Sequence, residues 1–473
     1  MSTTKIIARN TLWQILGKAI GTALGIVTIG LLTRYLGKAG FGYYTTAIAF
    51  MQFFGVLVDM GLYLVCLKEI SANPEKENYI VSNIFTLRFF SAIIFLGGGA
   101  LLIFAFPYPP IVKWSAVIVS TAFFFMSLVQ ILTTVFQKYL KMGQVALAEV
   151  LNRVGFLAVV ILFVLFKGNL PALMLSNVTG TIIYFAILWF LVKKFIRIHW
   201  AFDLGYWKLV IQKSWPIALG IAFNLVYFRA DTIILSLYKP ATDVGIYGAP
   251  YKILEIITTF PHMFMGLIMP LLTTTWISQN LEKFKNIMQK TFDFFIILIV
   301  PMTLLTLPLA DKIMVLIAGP DFLPSGKILP ILMLATGIIF LGVLFTYTLV
   351  ILDKQKTILK YYGLAAVLSL IGYFIFIPRY SYFGAAWVTV VVEALIAISA
   401  FILTYRTTKT KLLLRTAGKS LAAALIMTMT IYLLPNWPVL ILLLVAALIY
   451  GLVIFLIKGV DKKLIVDMIS SNK

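Results

Sequence analysis

Apolar runs of roughly 20–30 residues, each long enough to cross a bilayer as a helix, follow one another along this chain with short polar breaks between them. They place fourteen spans near 10–35, 42–66, 81–106, 113–136, 146–166, 170–192, 214–238, 247–276, 288–308, 328–351, 358–377, 383–405, 416–434 and 438–457. The first run lacks the short apolar core and small-residue cleavage site of a signal peptide, so it reads as a retained span. The fold class is an all-α polytopic membrane protein.

Orientation follows from where the cations fall. Of the 39 Lys and Arg, 26 lie on the side that carries both termini, 8 lie on the other, and 5 lie inside spans. The positive-inside rule therefore places both termini in the cytoplasm. Trp13, Trp114, Trp189, Trp215, Trp276, Trp387 and Trp437 stand near span ends, where an indole sits half in lipid and half in water. The longest break, 193–213, is basic and partly amphipathic through Phe195, Ile198, Phe202, Tyr206 and Leu209. It predicts a helix lying on the membrane surface, with His199 and Asp203 solvated.

Composition narrows the function. With 62% hydrophobic and 12% charged residues, a water-soluble fold is excluded, and the spans leave no room for a soluble catalytic domain. One cysteine, Cys66, rules out a disulfide framework, and two isolated histidines, His199 and His262, offer no metal centre. No nucleotide-binding loop is present, so ATP hydrolysis is not the energy source. The outer loops are too short for a glycosyltransferase or polymerase, so the protein is not expected to be an enzyme and needs no cofactor.

Sliding the chain by 203 residues sets Leu16-Gly17 on Leu219-Gly220, Leu32 on Leu235, Tyr35 on Tyr238, Gly42 on Gly245 and Tyr44 on Tyr247. Six spans separate the copies, so both run in the same direction, as in a parallel two-lobed transporter. The expected organisation is an N-terminal lobe at 1–195 (spans 1–6), a cytoplasmic interfacial linker at 196–213 and a C-terminal lobe at 214–406 (spans 7–12). Spans 13–14 and a cytoplasmic tail follow at 407–473, outside the transport path.

The run from Leu32 to Tyr44, with Arg34, Gly37, Gly40 and Gly42, resembles the R-x-LG-x-x-x-FG-x-Y signature after the first span of polysaccharide (Wzx-type) flippases. Asp59-Met60-Gly61-Leu62 resembles the D-x-G-L that ends their second span. Asp231 with Val244-Gly245-Ile246-Tyr247, and Ile377-Pro378-Arg379-Tyr380 with Phe383-Gly384-Ala385-Ala386, are similar to elements of their second lobe. The superfamily also holds multidrug exporters and lipid II flippases, and spans 13–14 exceed the twelve of many polysaccharide flippases. The resemblance implies a central cavity through which a polyprenyl-pyrophosphate-linked oligosaccharide passes to the outer leaflet of the plasma (inner) membrane. Membrane lipids are expected partners and nucleic acid is not. A monomer, or a chain associated with polysaccharide assembly machinery, fits equally.

Charges inside the hydrocarbon each need a reason, because even on a lenient scale one costs roughly 2.5–3.5 kcal/mol. Lys18, Arg88 and Arg153 lie at a common depth of roughly 10–12 Å from the cytoplasmic span ends, and together they make a candidate pyrophosphate layer. Arg229 and Lys252 extend the candidate set. Glu149 with Arg153 (i,i+4) and Lys252 with Glu255 (i,i+3) have the spacing of simple pairs. Gln14, Lys18, Gly21, Gly25 and Thr28 form one small or polar stripe, and Gly17, Gly21 and Gly25 also fit a helix-packing seam. Asp231 and Glu393, with Asn224 on the face of Asp231, are candidates for coupling Na+ or H+. The alternatives are a cation-coupled multidrug exporter of the same fold, which the basic layer disfavours, and a lipid II flippase.

Overall fold

The computed structural model describes residues 3–434 and 436–459, excepting the side chains of 3–12, Ile15 and Pro216. The C-terminal part of the predicted tail lies outside these. Thirteen α-helices are described: α1 (Thr3–Asp59), α2 (Leu62–Ala72), α3 (Glu77–Leu102), α4 (Pro110–Lys138), α5 (Met142–Leu165), α6 (Leu170–Val192) and α7 (Leu204–Tyr238), then α8 (Ala241–Ile277), α9 (Leu281–Ala318), α10 (Leu329–Ile351), α11 (Gln355–Thr408), α12 (Arg415–Tyr432) and α13 (Val439–Leu456). Among the described residues there is no strand.

Eleven stretches are long and apolar enough to cross a membrane. Two of them are double. Helix α1 is broken at Gly37 (φ 65°, ψ −176°) and α11 at Ser381 (φ 51°, ψ −133°), so each supplies two of the predicted spans. With α12, which is not among those eleven, each of the fourteen predicted spans has a helical counterpart. Large apolar side chains face outward, as with Leu101 at 76% and Phe166 at 80% exposed, which suits a lipid surround.

The chain packs as two compact units, Met1–Gly248 and Ala249–Lys473, with the boundary inside α8. In the first unit, α1 and the start of α8 meet backbone to backbone. A Cβ on Gly42 would lie 1.8 Å from the Ala241 carbonyl oxygen, and one on Gly245 would lie 2.0 Å from that of Lys38. One on Gly248 would sit 2.9 Å from Thr45 Oγ1. The offset of 203 residues pairs Lys38 with Ala241, Gly42 with Gly245 and Thr45 with Gly248. The positions matched by the offset therefore meet one another in this contact.

The first unit also contains a strap. Where the amphipathic pattern over 193–213 predicts a surface helix, residues 196–203 form no helix and α7 starts at Leu204. Alternate amides of the segment donate to side chains of α3: Arg197 N to Asn78 Oδ1 (3.0 Å), His199 N to Ser82 Oγ (3.2 Å), Ala201 N to Thr86 Oγ1 (3.2 Å) and Asp203 N to Asn83 Oδ1 (3.0 Å). The fit is metrical. Two extended residues advance about 6.6 Å, and four helical residues about 6 Å, so Asn78, Ser82 and Thr86 keep step with every second amide. Those amides are thereby withdrawn from helix formation.

Asp203 ends the strap by capping α7, its Oδ1 accepting from Tyr206 N at 2.9 Å while its Oδ2 accepts from the Tyr79 hydroxyl. The Tyr79 hydroxyl, then the Tyr206 amide, hold the Asp203 carboxyl below its ordinary range. Ile196 and Val210 enter the same buried cluster as Cys66, Phe85, Leu132 and Leu188. Lys213 of α7 pairs with Glu69 of α2 at 2.8 Å, so α7 packs with the helices that precede it.

In the second unit, α12 and α13 pack on α9 around Leu309, Ala424, Met427, Ile431, Leu442 and Ala446. The Tyr450 hydroxyl bridges Ser420 Oγ (2.8 Å) and the Ile297 carbonyl (2.9 Å), pinning the appended pair to α9.

Gly42→Ala is expected to abolish recovery of folded protein, since its methyl group would overlap a backbone oxygen that helix geometry holds in place. Gly97→Ala has open space around its Cβ and should fold normally. Size-exclusion profiles of the two variants in detergent check this.

Candidate functional site

The site is built from a close approach of α1 and α5. A Cβ on Gly17 would come within 3.0 Å of Ala146 Cβ, so the two helices touch where the small-residue stripe begins. One turn on, the stripe makes room for a cation. Cβ atoms on Gly21 and Gly25 would lie 3.8 and 3.9 Å from Arg153 Cγ and one terminal guanidinium nitrogen. The seam and the polar stripe are thus one surface, against which the Arg153 side chain lies. Thr28, further along, bonds its own backbone at Leu24 O (2.7 Å).

Lys18 and Arg153 converge on one carboxylate. Lys18 Nζ is 3.3 Å from Glu149 Oε1, and a terminal nitrogen of Arg153 is 4.0 Å from the same oxygen. Two cations against one anion leave the cluster positive, and all three side chains are partly exposed. Arg153 also borders a cavity of about 220 Å³ between α1, α4, α5 and α6, with Asn152, Asn177, Phe123 and Phe156 among its lining. Arg153 Nε and Asn177 Nδ2 are buried donors without a hydrogen-bond partner. Unmet buried donors are costly, so the cavity wall has capacity for an acceptor-rich ligand. Sequence reasoning missed Asn152 and Asn177; an amide near mid-span is the signal that would have found them.

Arg88 is placed elsewhere. It is wholly buried and donates to the Val58 carbonyl (2.8 Å), to Asp59 Oδ1 (2.8 Å) and to Gln130 Oε1. This ties α3 and α4 to the end of α1, where Met60 and Gly61 (φ 73°) interrupt the helix before α2. Only a glycine takes that conformation without strain, and a Cβ there would also meet Ile217 at 2.8 Å. Depth alone groups Arg88 with Lys18 and Arg153, but its side chain points to a carboxylate on a different helix. Arg34, in the motif after span 1, donates to the carbonyl of Gly30 (3.1 Å).

The second group of candidates is divided between the two units. In the first unit, Asp231 is fully buried and accepts from the Tyr247 hydroxyl (2.6 Å) and from Thr232 Oγ1 (3.1 Å). Asn224 donates to the Tyr227 hydroxyl at 2.6 Å, and Arg229 lies 5.8 Å from the Phe228 ring centroid. In the second unit, Lys252 pairs with Glu255 at 2.8 Å, the local pair that its spacing allows. Glu393, also in the second unit, is buried at 7% exposure.

Residues 7–277 match the model of a family described as polysaccharide biosynthesis protein. The chain belongs to that family. It is 23% identical over 415 residues to a putative O-antigen transporter of Shigella flexneri, covering 82% of this chain and 96% of the relative. It is 21% identical over 397 residues to a probable low-salt glycan biosynthesis flippase, Agl15, of Haloferax volcanii, covering 81% and 80%. Its fold is similar to that of the lipid II flippase MurJ in an inward closed conformation, with a TM-score of 0.74 at 15% identity over 93% of this chain and 98% of that one. These relatives carry the names of transporters and flippases, not of enzymes.

Within this family member, Arg88 and Arg153 should separate by experiment. Arg88→Ala leaves Asp59 and Gln130 without their donor in a buried setting, and should lower stability by about 3–5 kcal/mol. Arg153→Ala, at a partly exposed side chain, should leave the unfolding midpoint nearly unchanged. Thermal unfolding in detergent distinguishes the two.

Proposed function

We propose that the protein moves a polyprenyl-pyrophosphate-linked oligosaccharide from the inner to the outer leaflet of the plasma membrane by alternating access, with both termini cytoplasmic. The observation that carries this reading is the Lys18–Glu149–Arg153 cluster beside a cavity with unmet donors. A pyrophosphate offers several anionic oxygens at once, and arginine and lysine from two helices can share them. The oligosaccharide brings hydroxyls and amides to which an orphan amide such as Asn177 can donate. Family membership and relatives named as O-antigen transporter and glycan flippase support the same substrate class. A surplus of positive charge in the cluster works against an exporter of organic cations.

Coupling to Na+ or H+ is part of the proposal. Both carboxylate oxygens of Asp231 accept hydrogen bonds from Tyr247 or Thr232. Glu393 makes no hydrogen bond or ion pair among the described residues and is the stronger candidate. A carboxylate buried in this way is balanced by a proton or by a cation. A ligand of this kind drives the cycle only by binding one state better than the other.

The test is leaflet exchange of a fluorescent polyprenyl-pyrophosphate sugar in proteoliposomes, read with a membrane-impermeant quencher. The Lys18→Ala, Arg153→Ala double variant should slow translocation at low substrate by roughly 100-fold, since each contact to a charged group contributes about 1.5–3 kcal/mol. Glu393→Gln should keep exchange but lose its response to an imposed ion gradient. Unchanged exchange in the double variant, or accumulation of a cationic dye in place of lipid movement, would sink the reading.

A further inference from the structure

A second basic feature lies at the end of α6, apart from the translocation cluster. The last turn of α6 and the start of the strap enclose a groove of about 270 Å³ lined by Trp189, Val192, Lys193, Ile196, Arg197 and Ile198. The candidate membrane span ends at Val192, so Lys193, Lys194 and Arg197 follow directly after the hydrocarbon. Its 23 residues measure about 34 Å as a helix against a hydrocarbon thickness of about 30 Å, which brings these cations to the level of lipid phosphates.

The groove is shaped before any ligand arrives. Phe195 stacks on Tyr139 with ring centroids 4.9 Å apart and meets Phe136 edge-on at 5.7 Å, while Ile196 is buried beneath. The amide of Arg197 is held by Asn78 Oδ1, so both flanks are fixed. Lys193 Nζ lies 5.9 Å from the Trp189 ring centroid and 5.2 Å from that of Phe190. Among the described residues, none of the three exposed cations is in an ion pair with a carboxylate. Three unbalanced cations around a rigid apolar slot at headgroup level call for an anion that also carries hydrocarbon.

We propose that this groove binds the headgroup phosphate of an anionic phospholipid, held between Lys193 and Arg197, with an acyl chain against Val192, Ile196 and Ile198. Arginine spans the two unesterified oxygens of the phosphodiester, and the lysine stem stays on the aromatic rings while its ammonium shares one of them. Inorganic phosphate would satisfy the cations but leave the apolar wall unused. Because the groove is part of the strap that caps α7, its occupant steadies the start of that helix.

The test uses the full chain, delipidated in detergent, and reads its thermal unfolding midpoint. Phosphatidylglycerol, phosphatidylcholine and inorganic phosphate are titrated separately. Phosphatidylglycerol should raise the midpoint by about 3 °C more than phosphatidylcholine does. Lys193→Gln with Arg197→Gln should remove that surplus and keep the phosphatidylcholine response; Arg197→Gln alone should remove part of it. Both side chains are exposed, and elution on size exclusion checks that the variants fold. Lys283→Gln with Lys285→Gln deletes two cations at the start of α9 and should keep the surplus. A full surplus in the 193/197 double variant, its equal loss in the 283/285 variant, or its reproduction by inorganic phosphate would each overturn the proposal.

Discussion

A bilayer interior supplies no water, so every polar group carried into it must be met by the protein itself. Most of this structure can be understood as compliance with that constraint. Threonine hydroxyls along the spans return to carbonyls one turn back, as Thr28, Thr45, Thr86 and Thr336 do. The two terminal nitrogens of Arg88 are met by a carboxylate, a carbonyl and an amide drawn from α1 and α4, while its Nε has no partner. Asp231 is met by a tyrosine and a threonine. Against that background Arg153 Nε and Asn177 Nδ2 stand out as two unmet donors that share one cavity wall, and Glu393 in the second unit as a buried carboxylate with no hydrogen bond or ion pair among the described residues. Two unmet donors on one wall give that cavity a capacity for acceptors that the isolated unmet atoms elsewhere lack.

The same constraint explains how the first unit is held together. Helices in lipid gain little from burying apolar side chains, since the tails are as apolar as leucine, and they associate by close packing and hydrogen bonds. Gly42 and Gly245 bring two backbones into direct contact, and Gly17 does the same against Ala146. The strap uses the second means. Four backbone amides that could have begun a helix are spent on α3 side chains, and the helix starts only where Asp203 caps it.

What the amino-acid sequence disclosed follows from which quantities it encodes. Hydropathy encodes length and depth, so the spans were legible, including both halves of α1 and of α11 on either side of the breaks at Gly37 and Ser381. It does not encode azimuth against a neighbour. Lys18, Arg88 and Arg153 share a depth, yet two turn to Glu149 and the third to Asp59. Local spacing was a sound guide where both partners lie on one helix, as for Lys252 with Glu255. The strap was hidden because Phe195, Ile198 and Phe202 suit an amphipathic helix and a zipped segment alike. The deciding signal lay over a hundred residues earlier, in Asn78, Ser82 and Thr86, a polar i, i+4, i+8 stripe at the head of an apolar span.

Glu149 separates the two basic sites by their chemistry. A transporter must release what it binds, and a cluster of bare cations at a pyrophosphate site would hold the anion through the cycle. With Glu149 in place, Lys18 and Arg153 already have a partner, and under the proposed function a substrate phosphate would have to displace it. In that cycle the carboxylate returns when the substrate leaves, so neither partly exposed cation is left without a partner in the empty state. Affinity is lowered and turnover is preserved, which is the balance a carrier needs. Lys193, Lys194 and Arg197 have no such internal competitor and sit where the bulk lipid supplies anions continuously. Under the two proposals, an internal carboxylate distinguishes the site of a passing ligand from that of a resident one.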